Sequence, residues 1–403
     1  MKFALVSHVL PPSPSGQAIA LYRVLRDFDP NEYCLISSSL RSSGSQLGID
    51  RQLGAPHHYL PPEWRLRVGN RWLQKLRTAV TLPWVLVARA IAIARILAEE
   101  RCRALIACTG GSDLLDVPAS FLAARWNGVP FFVYALDYYS YQWLGPHEWR
   151  PLCSHRFGSW MERLTHTKAQ TVLVPNEFLQ DALKARYGIN PVVVRNACDR
   201  SDIYPPSPHP KSAEKSSVTI VYTGMVYDAH HTAFRSLLRA MALLPGASKL
   251  HIYTSQPPEQ LTRHGITGPV FIHPHCSTDK VADVHKSADI LFLPLAAATP
   301  YPELIRTSAP AKMGEYLASG TPVLVHAPAD SFVSWYFQKN QCGFVVPEGD
   351  DRQVATTLMT AASDDMLRQA SVTNAARCAA SDFSITAAHK AFAGALRAAR
   401  IDP

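Results

Sequence analysis

No G-x-G-x-x-G, no G-x-x-x-x-G-K-[ST] and no G-x-S-x-G occurs anywhere in the chain. Their absence disfavours hydride transfer on a bound dinucleotide, P-loop phosphoryl chemistry and the serine elbow of α/β-hydrolases. None of the eight cysteines forms a C-x-x-C, so neither a zinc ribbon nor a disulfide framework is indicated, and reduced thiols in a cytosolic protein are the simpler account. The pairs His230–His231 and His273–His275 have no carboxylates at ligand spacing and only Cys276 nearby, so no metal is expected. Long hydrophobic runs are missing as well. The most apolar window, residues 82–98, is broken by Arg89 and Arg95, and falls short of the ~18–20 uninterrupted residues of a spanning helix. It reads as a buried helix opened by Pro83. The opening MKFALVSHVLPP has too short an apolar run for a signal peptide and reads as a first buried strand.

What remains is the composition of a globular protein: 47% hydrophobic, 18% charged and no low-complexity block. At 403 residues the chain exceeds one core, so two or three domains are expected. The net charge is +8, and its distribution matters more than its size. Residues 64–77 carry Arg65, Arg67, Arg71, Lys75 and Arg77 without an acid, interleaved with Trp64 and Trp72. Two readings stand: a solvated helix face, or an amphipathic segment lying on an anionic membrane surface. No nucleic-acid-binding motif accompanies the charge, so nucleic acid is not an expected partner.

Apolar runs at 2–10, 32–38, 103–110, 129–137, 169–176 and 191–199 alternate with helical patterns at 18–28, 83–100, 116–126, 155–167 and 177–187. That alternation predicts α/β architecture with a doubly wound parallel sheet. At the carboxyl end of the first strand stand His8 and the loop containing Gly16. His8 is either a cleft residue or an ordinary loop histidine, and Gly16 either admits a close backbone approach or makes a turn. The fourth run delivers Asp137 to a strand end, followed by Tyr138, Tyr139, Tyr141 and Trp143. These aromatics suit either sugar stacking or core packing.

Residues 203–217 hold four prolines and no apolar periodicity, marking an interdomain linker. The alternation then restarts, with strands at 218–224, 249–255, 270–274, 288–295, 322–327 and 342–346 and helices at 232–244 and 279–287. The expected boundaries are 1–203, a linker at 204–217, a second domain at 218–384, and a last helix at 385–403 folding back on the first domain.

Residues 288–327 form the most informative stretch. Two buried strands flank a long polar loop and a short helix, with Pro310 in its first turn, Ser308 or Thr307 as cap, and Gly320 as its end. Ligands in open α/β sheets collect outside the carboxyl ends of the strands, and helix N-termini attract phosphate. Lys312 adds a cation there, and Glu315 lies three residues on, able to accept bonds from paired hydroxyls. Such a pair is either a surface ion pair or a clamp for a nucleotide.

SAPAKMGEYLASGTPVLV (residues 308–325) resembles the P-x-K-x-x-E-Y-x-a-x-G-x-P-V motif of retaining GT-B glycosyltransferases of family 4, group 1. Four further stretches are similar to the same family in order: the opening strand with its Gly-bearing loop, residues 174–199, VYTGMVYDAHH, and GFVVPEGDDRQVATTL. The resemblance covers most of the chain and implies a GT-B fold, two Rossmann-like domains facing a cleft. The first domain would bind a glycan or lipid-linked acceptor, the second a UDP- or GDP-sugar, with no cofactor and no metal. Lys312 would contact the diphosphate and Glu315 the ribose. Gly16 and Gly224 would let backbone approach the phosphates, Tyr227 would join them, and Tyr253 would lie near the base. With Asp137, Lys312 and Glu315 make the expected catalytic set, and His8, Tyr138 and Tyr139 the expected acceptor contacts. The resemblance further implies transfer of a hexose with retention, in polysaccharide biosynthesis, by a cytoplasmic protein peripheral to the membrane's inner face.

The chain departs from the pattern at several places. Thr307 stands where a glutamate is common, and Leu136 precedes Asp137 where a histidine is common. Ala197 follows Asn196 in place of glycine, and the Gly224 loop lacks its usual basic residues. Arg306 and His231 are the candidates to replace that cation. A non-catalytic nucleotide- or glycan-binding protein, or a GT-B sugar-nucleotide epimerase, are the alternatives.

Overall fold

The computed structural model describes every residue except 14, 39–51, 62–70, 111–113, 145–154, 200–202, 204–217, 245, 297–298, 348–349 and 399–403. Two compact units emerge, Met1–Arg195 with Ala388–Pro403, and Asn196–Ala387.

In the first unit the chain runs β1 (Phe3–Val6), α1 (Gly16–Leu25), β2 (Tyr33–Ser37), β3 (His57–Tyr59), α2 (Arg71–Glu99), β4 (Leu105–Cys108) and α3 (Asp116–Asn127). It continues with β5 (Phe131–Tyr134), α4 (Tyr139–Gln142), α5 (His155–Lys168), β6 (Thr171–Val174), α6 (Glu177–Tyr187) and β7 (Val192–Val193). The sheet order is β3-β2-β1-β4-β5-β6-β7, and every pairing is parallel. β1, β2, β4 and β5 are buried along their whole length, as strands covered on both faces must be.

The second unit contains β8 (Thr219–Thr223), α7 (Asp228–Met241), β9 (Lys249–Tyr253), α8 (Pro258–Arg263), β10 (Val270–His273), α9 (Thr278–Lys286) and β11 (Ile290–Pro294). After these come α10 (Pro302–Arg306), α11 (Lys312–Ala318), β12 (Val323–His326), α12 (Phe332–Asn340), β13 (Phe344–Val346), α13 (Asp351–Ser363) and α14 (Asp365–Ser381). Its parallel sheet has the order β10-β9-β8-β11-β12-β13. Strand order reverses at β1/β4 in one sheet and at β8/β11 in the other, the positions where such sheets bind ligands. The last helix, α15 (Ile385–Ala398), sends Phe392 to within 6.0 Å of Phe3 and 6.1 Å of Tyr134, ring to ring. Its residues from Ala388 thus belong to the first unit.

Several expectations need correction. Pro83 does not open a helix: α2 begins at Arg71 and carries Pro83 in its interior. Nor is α2 a buried helix throughout, since Val80 and Trp84 are 68% and 71% exposed. The half-exposed edge strand β3 was not foreseen, and α10 occupies what read as loop. Arg65, Arg67 and the linker at 204–217 lie outside the described residues, as do the side chains of Arg71 and Lys75.

α2 and α3 are joined by an ion pair sealed from water. Arg89 Nη1 meets Asp116 Oδ1 at 2.7 Å, the side chains being 5% and 2% exposed, and Ser38 Oγ donates to Asp116 Oδ2 at 3.0 Å. Removing one partner strands a buried charge, whereas replacing both removes the desolvation cost as well. Asp116→Ala is therefore expected to lose about 3–5 kcal/mol of stability in urea titrations, and the Arg89→Met/Asp116→Leu pair to recover most of that loss.

Candidate functional site

The second unit's switch point is built around Gly224. It follows β8 with φ of 114°, a conformation that side chains resist, and a Cβ there would stand 3.1 Å from Lys312 Nζ. The lysine amine thus takes the space that a side chain at 224 would fill. It also lies 3.7 Å from the centroid of the Tyr222 ring, a cation–π geometry.

Lys312 is the first residue of α11. Contrary to expectation, neither Ser308 nor Thr307 caps this helix: Ala311 stands at its start in helical conformation without a side-chain cap. The loop before it is held by Asn196 Nδ2, which donates to Ala309 O at 2.9 Å. Gly320 follows the helix at φ of 75°, as expected. One turn on from Lys312, and on the same face, the Tyr316 hydroxyl accepts from Thr223 N at 3.0 Å. The opposite side of α11 packs closely, since a Cβ on Gly314 would meet Cys198 at 3.2 Å, and Asn196 O and Phe383 at 3.3 Å. Helix and strand end are thereby fixed to each other.

Electrostatics set the state of the lysine. Part of its surface is exposed, yet the ammonium is packed among protein atoms, and burial pushes its pKa down to about 7 against the opposing pull of Glu315. Two histidines border it and are held neutral. His285, whose Nε2 meets Thr223 Oγ1 at 3.1 Å, is lowered to about 4 by burial. His230, 3.2 Å from the Tyr222 hydroxyl through Nδ1, is lowered well below its usual value by burial and then by Lys312. Lys312 is the member of this cluster that can carry positive charge near neutral pH.

The other expected contacts divide. Tyr227 is exposed and packs against His230, the rings tilted by 41° with centroids 4.1 Å apart. His231 turns away to stack on His264 at 3.9 Å, and burial lowers its pKa, so it does not replace the missing cation. Arg306 ends α10 exposed. Thr307 is buried and donates its hydroxyl to Glu303 O at 3.0 Å. Tyr253 ends β9 and stacks on His273 at 4.5 Å.

In the first unit, Gly16 is an ordinary first residue of α1, capped by Ser15 Oγ, which accepts from Ala18 N at 3.2 Å. The glycine with special geometry is Gly110, at φ of 118° after β4, where Gln17 Oε1 lies 2.5 Å from the site of a Cβ. Gln17 Nε2 donates to Ser7 Oγ at 2.9 Å. Sequence reasoning missed both residues, although a glycine directly after a buried strand was visible. His8 Nδ1 is 3.4 Å from Ser38 Oγ. Asp137 is exposed at the strand end, with desolvation by the surrounding protein pushing its carboxyl up to about 6. Tyr138 and Tyr139 are corrected to core residues: both are buried, with Arg186 over the Tyr138 ring at 4.7 Å and the Tyr139 hydroxyl donating to Leu114 O.

Comparisons agree with this architecture. Residues 217–364, within the second unit, match the family model for Glycosyl transferases group 1. No curated protein gives a significant match. Among solved structures, the chain is similar to sucrose-phosphate synthase of Thermosynechococcus elongatus, at 12% identity and a TM-score of 0.70 over 98% of each chain. It is also similar to Anabaena Alr3699/HepE in complex with UDP-glucose, at 14% identity and a TM-score of 0.68 over 99% of this chain and 100% of the other. An α,α-trehalose-phosphate synthase (UDP-forming) of Burkholderia vietnamiensis follows, at 12% identity and a TM-score of 0.62 over 98% of each. The fold is that of the GT-B glycosyltransferases.

Proposed function

We propose that this protein transfers a sugar from a nucleotide-sugar donor to an acceptor hydroxyl, with Lys312 holding the donor diphosphate. One observation carries the reading: a partly desolvated lysine amine seated against Gly224 at the β8/β11 switch point, over the Tyr222 ring. A cation stripped of part of its water gains most from an anion that replaces that water. As the sugar–phosphate bond breaks, negative charge grows on the leaving diphosphate, and a fixed ammonium stabilises it. Glu315, close enough to influence Lys312 and His285 electrostatically, accepts hydrogen bonds from the ribose hydroxyls. The Anabaena protein's complex with UDP-glucose supports a UDP-sugar as donor.

Retention of configuration is part of the proposal. The leaving phosphate oxygen takes the proton of an acceptor hydroxyl attacking from the same face, so the hydroxyl oxygen bonds to the anomeric carbon as the phosphate departs. The acceptor, a glycan or lipid-linked sugar, is assigned to the first unit, where Asp137 is mostly ionised at pH 7 and can orient a hydroxyl. Thr307, tied down by Glu303 O, favours a second reading in which nucleotide binds without turnover. Measuring UDP-sugar consumption with and without acceptor sugars separates the two.

Lys312→Met is expected to weaken UDP binding by roughly tenfold or more in calorimetry, since a charged hydrogen bond contributes about 1.5–3 kcal/mol. An unchanged affinity would remove the assignment. The free lysine is mostly neutral above about pH 7, and a bound diphosphate favours its ammonium form. Binding well above pH 7 should therefore take up a proton, seen as a dependence of enthalpy on buffer ionisation heat, and affinity should fall as pH rises. Without ligand the sign runs the other way for stability: the depressed lysine costs stability in full below about 7 and not at all above its unfolded value of 10.5. Wild-type stability should rise across that window, and the rise should flatten in Lys312→Met. Gly224→Ala, which needs a strained backbone and crowds Nζ, should cost on the order of 1–3 kcal/mol and weaken UDP binding together.

A further inference from the structure

Helix α2 is divided lengthwise. Val85, Ala90, Ile93 and Leu97 are buried, and Arg89 is locked to Asp116 of α3. The other side presents Val80, Trp84, Val87 and Ile91, exposed by 68%, 71%, 40% and 40%. Their spacing of four, three and four places them in one stripe. By length and composition the segment Val80–Glu99 could cross a membrane. The ion pair and the buried face tie it instead into the unit's own helical layer, which leaves the stripe at the surface.

Charge says what the stripe meets. No aspartate or glutamate occurs from residue 64 to 98, while Arg65, Arg67, Arg71, Lys75, Arg77 and Arg95 do. Arg95 is exposed beside the stripe. A second copy would bring the same basic 64–77 segment, while the nearest acid in α2 is Glu99, four residues from Arg95. An anionic surface answers both features at once, with the apolar side chains entering the acyl boundary and the cations meeting headgroups. From this arrangement we infer that α2 docks the protein, lying flat, on an anionic lipid bilayer. This docking is independent of the sugar-transfer reading.

Flotation with vesicles tests it. The wild type should float with vesicles of phosphatidylcholine and phosphatidylglycerol in equal parts, not with phosphatidylcholine alone, and less so as salt is raised. Trp84→Ser/Val87→Ser should lower the bound fraction about tenfold. Arg71→Gln/Lys75→Gln should weaken binding to the anionic vesicles, and thermal melts of both variants should match the wild type. Failure of the wild type to float with anionic vesicles, or equal flotation of Trp84→Ser/Val87→Ser, would overturn the inference. So would a dimer in sedimentation velocity that Trp84→Ser/Val87→Ser disperses, which would assign the stripe to a second copy.

Discussion

The arrangement of the second unit's switch point depends on one close approach, that of the Lys312 amine to the backbone of Gly224. Two features make it possible. A left-handed glycine after β8 leaves room for the amine, and Tyr316, one turn along α11, fixes that helix to Thr223. The cost is desolvation of a lysine, which a protein tolerates where the Tyr222 ring and Glu315 partly replace the lost water. Keeping His285 and His230 uncharged is part of the same device, because further cations beside Lys312 would depress it more. The site therefore holds one titratable cation whose neighbouring histidines are kept neutral.

Much of this was legible in the sequence because both sheets are parallel. Strands buried on both faces read as unbroken apolar runs, so β1, β2, β4, β5, β8, β11 and β12 stand out. β3, with the sequence His-His-Tyr at a sheet edge, buries too little to leave such a run. α2 misled for the opposite reason. Its composition is almost uniformly apolar, which suggests burial, and only the spacing of Val80, Trp84, Val87 and Ile91 distinguishes its two sides. Pro83 looked like a first-turn residue because proline suits that position, yet here the helix continues through it.

At the site, local signals found Lys312, Glu315 and Gly224, and non-local ones were out of reach. Tyr222 meets Lys312, and His285 meets Thr223, across long sequence separations with no pattern linking them. Of the adjacent histidines in α7, sequence reasoning chose His231, whereas His230 faces Tyr222. Neighbours on a helix point about 100° apart, and only the helix's orientation on the sheet decides which turns inward. Tyr138 and Tyr139 show the same limit from the other side, since an aromatic cluster after a strand suits core and pocket alike until burial is known.

The two units use one structural device with different chemistry. Each places a left-handed glycine just past a strand at its switch point, Gly110 two residues after β4 and Gly224 directly after β8, and each fills the space with a side chain from a helix. In the first unit the filler is Gln17, a neutral amide bonded to Ser7. In the second it is Lys312, whose pKa near 7 marks it as a cation short of water. An amide meets neutral hydroxyls without preference for charge, whereas an ammonium selects for phosphate. The proposed function rests on that difference, since of the two fillers only the ammonium gains from a diphosphate.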